Sequence, residues 1–149
     1  MKLVFGSDHA GYDLKQHLLQ YAQSKGCTCL DVGTDSAADA CSYVDYGLKA
    51  AQVVQKAEAD LGIIACGTGI GISIAANKVA GIRCALCTNE YMARMARQHN
   101  NANMLALGGR VIGFRLAESI LDAFLTQSFE TGGRHQKRVD ELNRLQSEN

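Results

Sequence analysis

The sequence predicts an α/β domain built on a five-stranded parallel sheet, with helices on both faces and a C-terminal helix. Short apolar runs alternate with segments of helical period along the whole chain, which is typical of β/α units. The runs are continuous rather than alternating with polar residues, as in strands covered by helices on both faces. Glycines stand at the ends of these runs in a chain without proline, so they mark the turns.

Five apolar runs are predicted as strands because they are short and bounded by turn residues. They cover residues 2–5, 28–32, 61–65, 83–87 and 104–107. Between them, apolar side chains at steps of three, four or seven residues predict the buried faces of three helices. These stripes are Leu14, Leu18 and Tyr21; Val44, Ala51 and Val54; and Leu116, Ile120 and Phe124.

The segment 136–149 is polar except for a narrow apolar stripe. Val139, Leu142 and Leu145 recur in it at three-residue steps, which predicts a closing helix. The stripe would pack against the domain or dock on a second subunit.

Composition and charge limit the classes of function. With 149 residues, the chain forms one domain, 1–149, whose core needs neither disulfides nor a structural metal. Basic and acidic residues balance at 15 each, so neither nucleic acid nor an anionic membrane is an expected partner. The first apolar run is too short for a signal peptide or a membrane span, which predicts a cytoplasmic location.

The six cysteines do not form a pattern typical of disulfides or metal ligands. Cys84 and Cys87 lie three residues apart in a predicted strand and point to opposite faces, so they cannot share a zinc ion or a disulfide. Cys27 and Cys29 also read as core residues of a strand. Cys41 has no informative context, and no H-x-H or H-E-x-x-H pattern indicates a metal site.

The strongest motif is the segment 66–73, which joins the third predicted strand to a helix predicted over 72–78. Its glycines let the backbone approach a ligand closely, and the N–H groups at the helix start could stabilise a negative oxygen. The same helix end would favour negative charge on Cys66. Cys66 would then be a base beside an oxyanion hole.

Other interpretations of this loop are weaker. The glycine spacing fits neither the dinucleotide motif nor the P-loop, and the arginine of a cysteine phosphatase loop is missing, since Ile72 and Ser73 stand there. A tight turn with a buried thiol remains an alternative.

Three further segments carry polar residues that suit a site. Asp8 and His9 follow the first strand, where Asp8 could also cap a helix. His99 precedes an asparagine-rich stretch that predicts a loop, and there it could transfer a proton near neutral pH. Arg134 and Arg138 would share one helical face and suit a phosphate. Together with Cys66, these residues fit proton abstraction next to a carbonyl of a small phosphorylated substrate.

At this point the chain resembles the type B ribose-5-phosphate isomerases, the family that also holds allose-6-phosphate and galactose-6-phosphate isomerases. The resemblance covers nearly the whole chain. It rests on the segments 6–11, 66–78, 97–100 and 133–135, which read GSDHAG, CGTGIGISIAANK, RQHN and GRH.

The resemblance implies a Rossmann-like domain that forms a homodimer or a tetramer, with active sites shared between subunits. The implied reaction is aldose–ketose isomerisation of D-ribose 5-phosphate and D-ribulose 5-phosphate through a cis-enediolate, without a metal or organic cofactor. The nearest alternative is a hexose-6-phosphate isomerase of the same family. A binding module for a sugar phosphate or nucleotide is the alternative from another class.

By the same resemblance, Cys66 would move the proton with help from Thr68, and His99 would open the sugar ring. The site residues are then assigned by group. The backbone of Gly67, Gly69, Ile70 and Gly71 would hold the enediolate oxygens; Asp8, Tyr43 and Asn100 would contact hydroxyls; and His9, Arg110, Arg134 and Arg138 would take the phosphate.

The chain resembles the branch of the family that uses a cysteine base. In the other branch a glutamate serves as base four residues after a serine, and here those positions are Ile70 and Cys66. The chain departs from the common Asp-Tyr-Pro pattern at Ser42 and Val44, which bears on Tyr43. It also has an extra residue, Thr131, before the glycines that precede Arg134.

Overall fold

A five-stranded sheet runs through the centre of the chain in the computed structural model, which describes residues 1–148. Asn149, the end of the predicted tail, lies outside the described residues. The strands are β1 (Lys2–Ser7), β2 (Thr28–Asp31), β3 (Leu61–Cys66), β4 (Cys84–Leu86) and β5 (Met104–Gly108). The helices are α1 (Tyr12–Ser24), α2 (Tyr43–Gln55), α3 (Ile70–Ala76), α4 (Glu90–Asn100), α5 (Phe114–Leu125) and α6 (Arg134–Ser147), with a 3₁₀ turn at His9–Gly11.

All strand pairs are parallel, in the order β2-β1-β3-β5-β4, so the predicted α/β fold is confirmed. Alternate residues of the strands enter two cores, one on each face. Leu3 and Ile63 belong to the larger core, which α1, α4 and α5 cover, and Val4 and Ile64 belong to the smaller core, which α2 and α3 cover. The central strands are therefore buried on both sides, which explains their continuous apolar sequence.

The ends of the helices follow from local chemistry. The side chains of Ser42 and Asn89 accept hydrogen bonds from the first turns of α2 and α4, satisfying amides that lack a helical partner. Asn101 ends α4 in the left-handed conformation, at a φ of 46°, which asparagine tolerates better than most residues.

The observed strands and α3 differ from the sequence prediction by one or two residues at several ends. Strand β4 starts at Cys84 rather than Arg83, because the Arg83 amide donates to the side chain of Asn103. Helix α3 spans Ile70–Ala76 instead of 72–78, since Gly69 starts it earlier. The loop predicted around His99 is wrong: His99 lies in the last turn of α4, and the following asparagines end that helix.

The predicted apolar stripes are only partly buried. Leu14, Leu18, Ile120 and Phe124 enter the core, as does Val139 of α6, but Val44 and Leu116 are exposed. Leu142 and Leu145 are also exposed, so Val139 is the residue of the predicted α6 stripe that enters the core. Over residues 1–148, no helix has the length and apolar character needed to cross a membrane.

All six cysteines are free thiols. Burial raises the pKa of Cys87 to about 11, and it also raises the pKa values of Cys29 and Cys84, because desolvation disfavours the thiolate. These three thiols therefore behave as core residues, as the sequence predicts.

Candidate active site

The predicted site residues form two groups at opposite edges of the sheet. At the carboxyl edge, the loops after β3 and β5 are joined backbone to backbone. The Gly109 amide donates to the Cys66 carbonyl at 2.8 Å, and the Arg110 amide donates to the Gly67 carbonyl at 2.9 Å. The Arg110 side chain packs across Gly67, where a Cβ atom would lie 3.5 Å from its guanidinium. Arg110 is thereby placed beside the glycine loop.

The Cys66 side chain lies at the base of this loop and is only 4% exposed. Its sulfur accepts a hydrogen bond from the Gly69 amide at 3.2 Å. Gly69 has a φ of 79°, and a Cβ atom there would lie 2.8 Å from the backbone of Leu107. Only glycine suits this position, so the loop geometry that puts an N–H on the Cys66 sulfur depends on it.

The rest of the loop presents polar groups and one apolar side chain to the outside. The Thr68 hydroxyl oxygen accepts from the Ile70 amide at 3.2 Å, which closes the turn into α3. Gly71 follows in the first turn, where amides have no partner within the helix. The Ile70 side chain is 53% exposed.

Tyr43 reaches this loop from α2. Its ring covers Gly71 so closely that a Cβ atom there would lie 2.6 Å from the ring. Ser42 caps α2 by accepting from the Val44 amide at 3.2 Å, so the altered residues around Tyr43 still start the helix at this point. Tyr43 therefore joins the carboxyl-edge group.

Asp8 and His9 complete this group. Asp8 is buried and accepts from the Gly11 amide at 3.0 Å, which confirms its capping role at the 3₁₀ turn. His9 Nδ1 accepts a hydrogen bond from the Cys41 amide at 3.2 Å. In a neutral His9 the proton must then lie on Nε2, which leaves that nitrogen as a donor.

A buried lysine anchors the loop that carries Cys41 and Tyr43. Lys15 Nζ donates to the Asp31 carboxylate at 2.7 Å and to the Thr34 carbonyl at 2.7 Å. Since Lys15 is almost fully buried, these bonds satisfy a charge that could not otherwise stay there. The start of the loop is thus held against β2.

The second group lies at the amino edge. His99 stacks on His135 of α6, with ring centroids 3.8 Å apart and ring planes 7° from parallel. The carbonyl of the next residue, Asn100, accepts a hydrogen bond from Arg83 Nε at 3.1 Å. This bond holds the end of α4 next to the start of β4. Arg134 and Arg138 follow in the first turns of α6, as the sequence predicts, and both are exposed.

The strand register shows how far apart the two groups are. Cys66 pairs with Gly108 at the carboxyl edge, whereas Gly62 pairs with Met104 at the amino edge, just after the His99 turn. Four residues of extended strand span about 13 Å. Within one chain, His99 and Asn100 are thus separated from Cys66 by the length of the sheet.

One group within residues 1–148 has the composition of a metal site: His99, Glu130 and His135, whose ligand atoms lie within 4.8 Å of one another. The two imidazole rings are parallel and 3.8 Å apart. Because the nitrogen lone pairs lie in the ring planes, they run side by side and do not converge on one ion. This geometry does not suit a metal.

Sequence reasoning missed the contacts of Cys41, His135 and Glu130. Cys41 meets His9 through its backbone, which no sequence pattern signals. His135 belongs to the GRH segment that carries the family resemblance, but that segment alone assigns it no role. Glu130 becomes its neighbour through the turn before α6, with carboxylate and Nε2 3.7 Å apart.

Comparisons with known proteins agree over the whole length. The sequence model of the family described as Ribose/Galactose Isomerase matches residues 3–142. Ribose-5-phosphate isomerase B of Escherichia coli K12 is 45% identical over 145 residues, covering 97% of this chain and 96% of that protein. D-erythrulose-4-phosphate isomerase of Pectobacterium atrosepticum is 43% identical, covering 89% of this chain and 88% of that protein.

A solved structure gives the same result. Ribose-5-phosphate isomerase B of Clostridium thermocellum superposes with a TM-score of 0.96 and 50% sequence identity, covering 99% of both chains. The predicted family resemblance and the fold are therefore confirmed.

Proposed function

The chain belongs to the ribose/galactose isomerase family, and from this premise we propose that it interconverts D-ribose 5-phosphate and D-ribulose 5-phosphate. The observation that carries the proposal is the Cys66 thiol at the base of the glycine loop, with the Gly69 N–H on its sulfur. This arrangement suits a base that takes and returns a carbon-bound proton.

In the proposed reaction, the Cys66 thiolate removes the proton from C2 of the open-chain aldose, and the electrons move to the carbonyl oxygen. The resulting cis-enediolate is held by the backbone N–H groups of the loop 67–71. The proton of the C2 hydroxyl passes to the oxygen on C1, which leaves the negative charge on the C2 oxygen. The Cys66 thiol then returns its proton to C1, and the C2–O bond becomes the ketone carbonyl. Thr68 supports this step with its hydroxyl, whose oxygen already accepts from Ile70. Since every step moves only protons, the proposal includes no metal or organic cofactor.

We assign the remaining residues by their position. His99 opens the sugar ring as proton donor, and Asp8, Tyr43 and Asn100 contact the hydroxyls. The phosphate is taken by His9 and Arg110 at the carboxyl edge of one chain and by Arg134 and Arg138 at the amino edge of a second copy of the chain. Because the chain has no net charge, this local group of cations would supply the attraction for the phosphate.

A second copy of the chain completes this site. Since His99 and Cys66 lie at opposite edges of one sheet, a single chain cannot apply both to one substrate. An apolar ridge formed by Tyr43, Val44, Ile70 and Ile74 adjoins the Cys66 loop, with the two isoleucines 53% and 55% exposed.

A groove of about 780 Å³ adjoins Asn100, and its apolar walls include Ile82, Leu142 and Leu145. Seating the ridge of one copy in the groove of the other would bring Cys66 of the first to His99 of the second. We therefore propose that the protein is a homodimer, and that it is located in the cytoplasm.

Proton NMR in heavy water tests the proposed reaction. We expect ribose 5-phosphate to convert to ribulose 5-phosphate with incorporation of deuterium at the transferred position, because the base exchanges its proton with solvent. If the protein converts only allose 6-phosphate or galactose 6-phosphate, its substrate is a hexose phosphate and not the proposed pentose phosphate. No conversion of any sugar phosphate, with binding retained, would favour a binding module.

A further inference from the structure

The His99 ring has an aromatic partner that the proposed reaction leaves unused. His135, in the first turn of α6, stacks on His99 at 3.8 Å, and the two rings are within 7° of parallel. His135 is 8% exposed, whereas His99 is half-buried. The His135 ring is thus buried in the fold, and the more exposed His99 ring stacks on it.

The groups around His135 hold its ring in place. Its Nε2 lies 3.7 Å from the Glu130 carboxylate and 3.5 Å from Arg134 Nε. Glu130 is itself tied to α4, since its amide donates to the Gln98 carbonyl at 2.9 Å. Helices α4 and α6 therefore meet through a connected set of contacts that fixes the planes of both rings.

The charges around the pair favour a neutral His135. Burial lowers the pKa of His135, and the positive groups of His99, Arg134 and Arg138 lower it further, against the opposite effect of Glu130. The N-terminal end of α6 also disfavours positive charge. A neutral imidazole offers its π face to His99, and such a face accommodates a cationic ring, whereas a second cation would repel it.

We propose that His135 is a positioning residue for His99: its ring fixes the plane of the His99 imidazole and thereby aims the His99 N–H at the ring oxygen of the closed sugar. This inference rests on the proposed function. It assigns His135 to ring opening and not to the proton transfer between C1 and C2, in which Cys66 acts.

The chemistry of ring opening separates the two steps. When the furanose opens, His99 gives a proton to the ring oxygen, the C1–O4 bond breaks, and the C1 hydroxyl loses its proton to water as the aldehyde forms. Erythrose 4-phosphate cannot close such a ring because its O4 carries the phosphate. An aldotetrose phosphate therefore needs Cys66 but no ring opening.

The test compares turnover of ribose 5-phosphate and of erythrose 4-phosphate by wild type, His135→Ala and His135→Phe. We expect His135→Ala to lower kcat for ribose 5-phosphate by about tenfold, since loss of a residue that orients another typically has such an effect. Turnover of erythrose 4-phosphate should stay within about twofold. His135→Phe restores a flat ring and should recover most of the lost activity.

A matched control is available between α1 and α5. His17 also stacks on an aromatic ring, that of Phe114 at 4.2 Å, and contacts Glu118 at 2.7 Å. His17→Ala should leave the turnover of both substrates unchanged. This control shows whether the effect is specific to His135 or follows from the loss of any stacked histidine.

Several outcomes would overturn the inference. They are an equal loss on both substrates in His135→Ala, no loss on either, or a selective loss that His135→Phe does not recover. A wild-type protein inactive on all sugar phosphates would instead refute the proposed function. If wild type converts ribose 5-phosphate but not the tetrose, the same variants are compared with ribulose 5-phosphate, which is acyclic, as the ring-free substrate.

Discussion

At the scale of single residues, Cys66 differs from the other described thiols in its surroundings. The Gly69 N–H donates to its sulfur at 3.2 Å, and α3 begins at Ile70, four residues after Cys66. Cys29 and Cys87 instead direct their sulfurs at the carbonyl oxygens of Leu19 and Ala85, each at 3.8 Å. A hydrogen-bond donor directed at the sulfur is what a base that must carry negative charge requires.

We therefore expect Cys66→Ala to lower kcat for ribose 5-phosphate by about 10³-fold or more, because the base acts in the transition state. Binding of ribose 5-phosphate, measured by calorimetry, should change by less than about threefold. Cys29→Ala, in a half-buried thiol of the edge strand, serves as control and should retain full turnover. Full activity of Cys66→Ala would refute the assignment of the base.

Gly69 offers a test of the loop itself. An alanine there must adopt a φ of 79° and place its Cβ 2.5 Å from the Leu86 side chain and 2.8 Å from the Leu107 backbone. Gly69→Ala should therefore lower the free energy of unfolding by about 3 kcal/mol or more. Gly26 has a similar φ of 85° with nothing within 4 Å, so Gly26→Ala should lose only about 1 kcal/mol.

Urea unfolding followed by circular dichroism compares the two glycine variants. If both lose the same stability, the close contacts of Gly69 do not restrict the loop.

At the scale of elements, the contact between α4 and α6 decides where the amino-edge residues lie. Asn101 ends α4. Arg83 donates hydrogen bonds to the carbonyls of Asn100 and Asn101, and its guanidinium also donates to the side chain of Asn143 in α6. A planar, always charged side chain can bind several carbonyls and an amide oxygen at once. The end of α4 is in this way fixed to both β4 and α6.

The His135 ring makes the stability of this contact depend on pH. Its pKa in the folded chain is lowered from the ordinary value of 6.5, through burial and the positive groups of His99, Arg134 and Arg138, against Glu130. As the pH falls below about 6.5, the unfolded chain binds a proton at His135 that the folded chain does not, so stability decreases. The neutral ring thus contributes stability above that pH.

We expect His135→Phe to lose less unfolding free energy between pH 7.5 and pH 5.5 than wild type does, because phenylalanine does not titrate. Urea midpoints at the two pH values give the comparison. An equal decrease in both proteins would contradict a lowered pKa at His135.

At the scale of the whole molecule, the predicted site residues lie in two groups at opposite edges of the sheet. The Cys66 loop adjoins the apolar ridge, and the His99 turn adjoins the groove beside α6. A two-fold dimer that joins ridge to groove would create two complete sites at once.

Mixing two inactive variants tests this arrangement. Cys66→Ala and His99→Ala chains that exchange subunits should form mixed dimers, each with one intact site. An equal mixture should then recover about one quarter of wild-type activity on ribose 5-phosphate. If both residues acted within one chain, the mixture would stay as inactive as its components.

The control for this experiment places Ile74→Asp in both chains. Ile74 is 55% exposed on the ridge, so an aspartate there should leave the single chain folded. It should prevent association and abolish the recovered activity, with monomers seen by sedimentation. Recovery that survives this change would show that the ridge is not the contact.

The sequence by itself determined the sheet and most of its polar edge. Short apolar runs bounded by glycines and other turn residues favour strands over helices, which is why all five strands were predictable. The residues 66–71 lie together in the chain, so their loop and its thiol were visible as a motif. Helix-period spacing likewise placed Arg134 and Arg138 on one turn of α6, since that relation is local.

Only the tertiary structure decided the relations between distant segments. It put His99 in a helix, because Asn89 caps the start of α4 and Asn101 its end. It left Val44 and Leu142 40% and 46% exposed although their spacing is that of core residues, since the elements described in residues 1–148 bury them only in part. It also separated His99 from Cys66 and stacked His99 on His135. Such contacts depend on how the helices pack on the sheet, and this packing is not encoded in the spacing of any one segment.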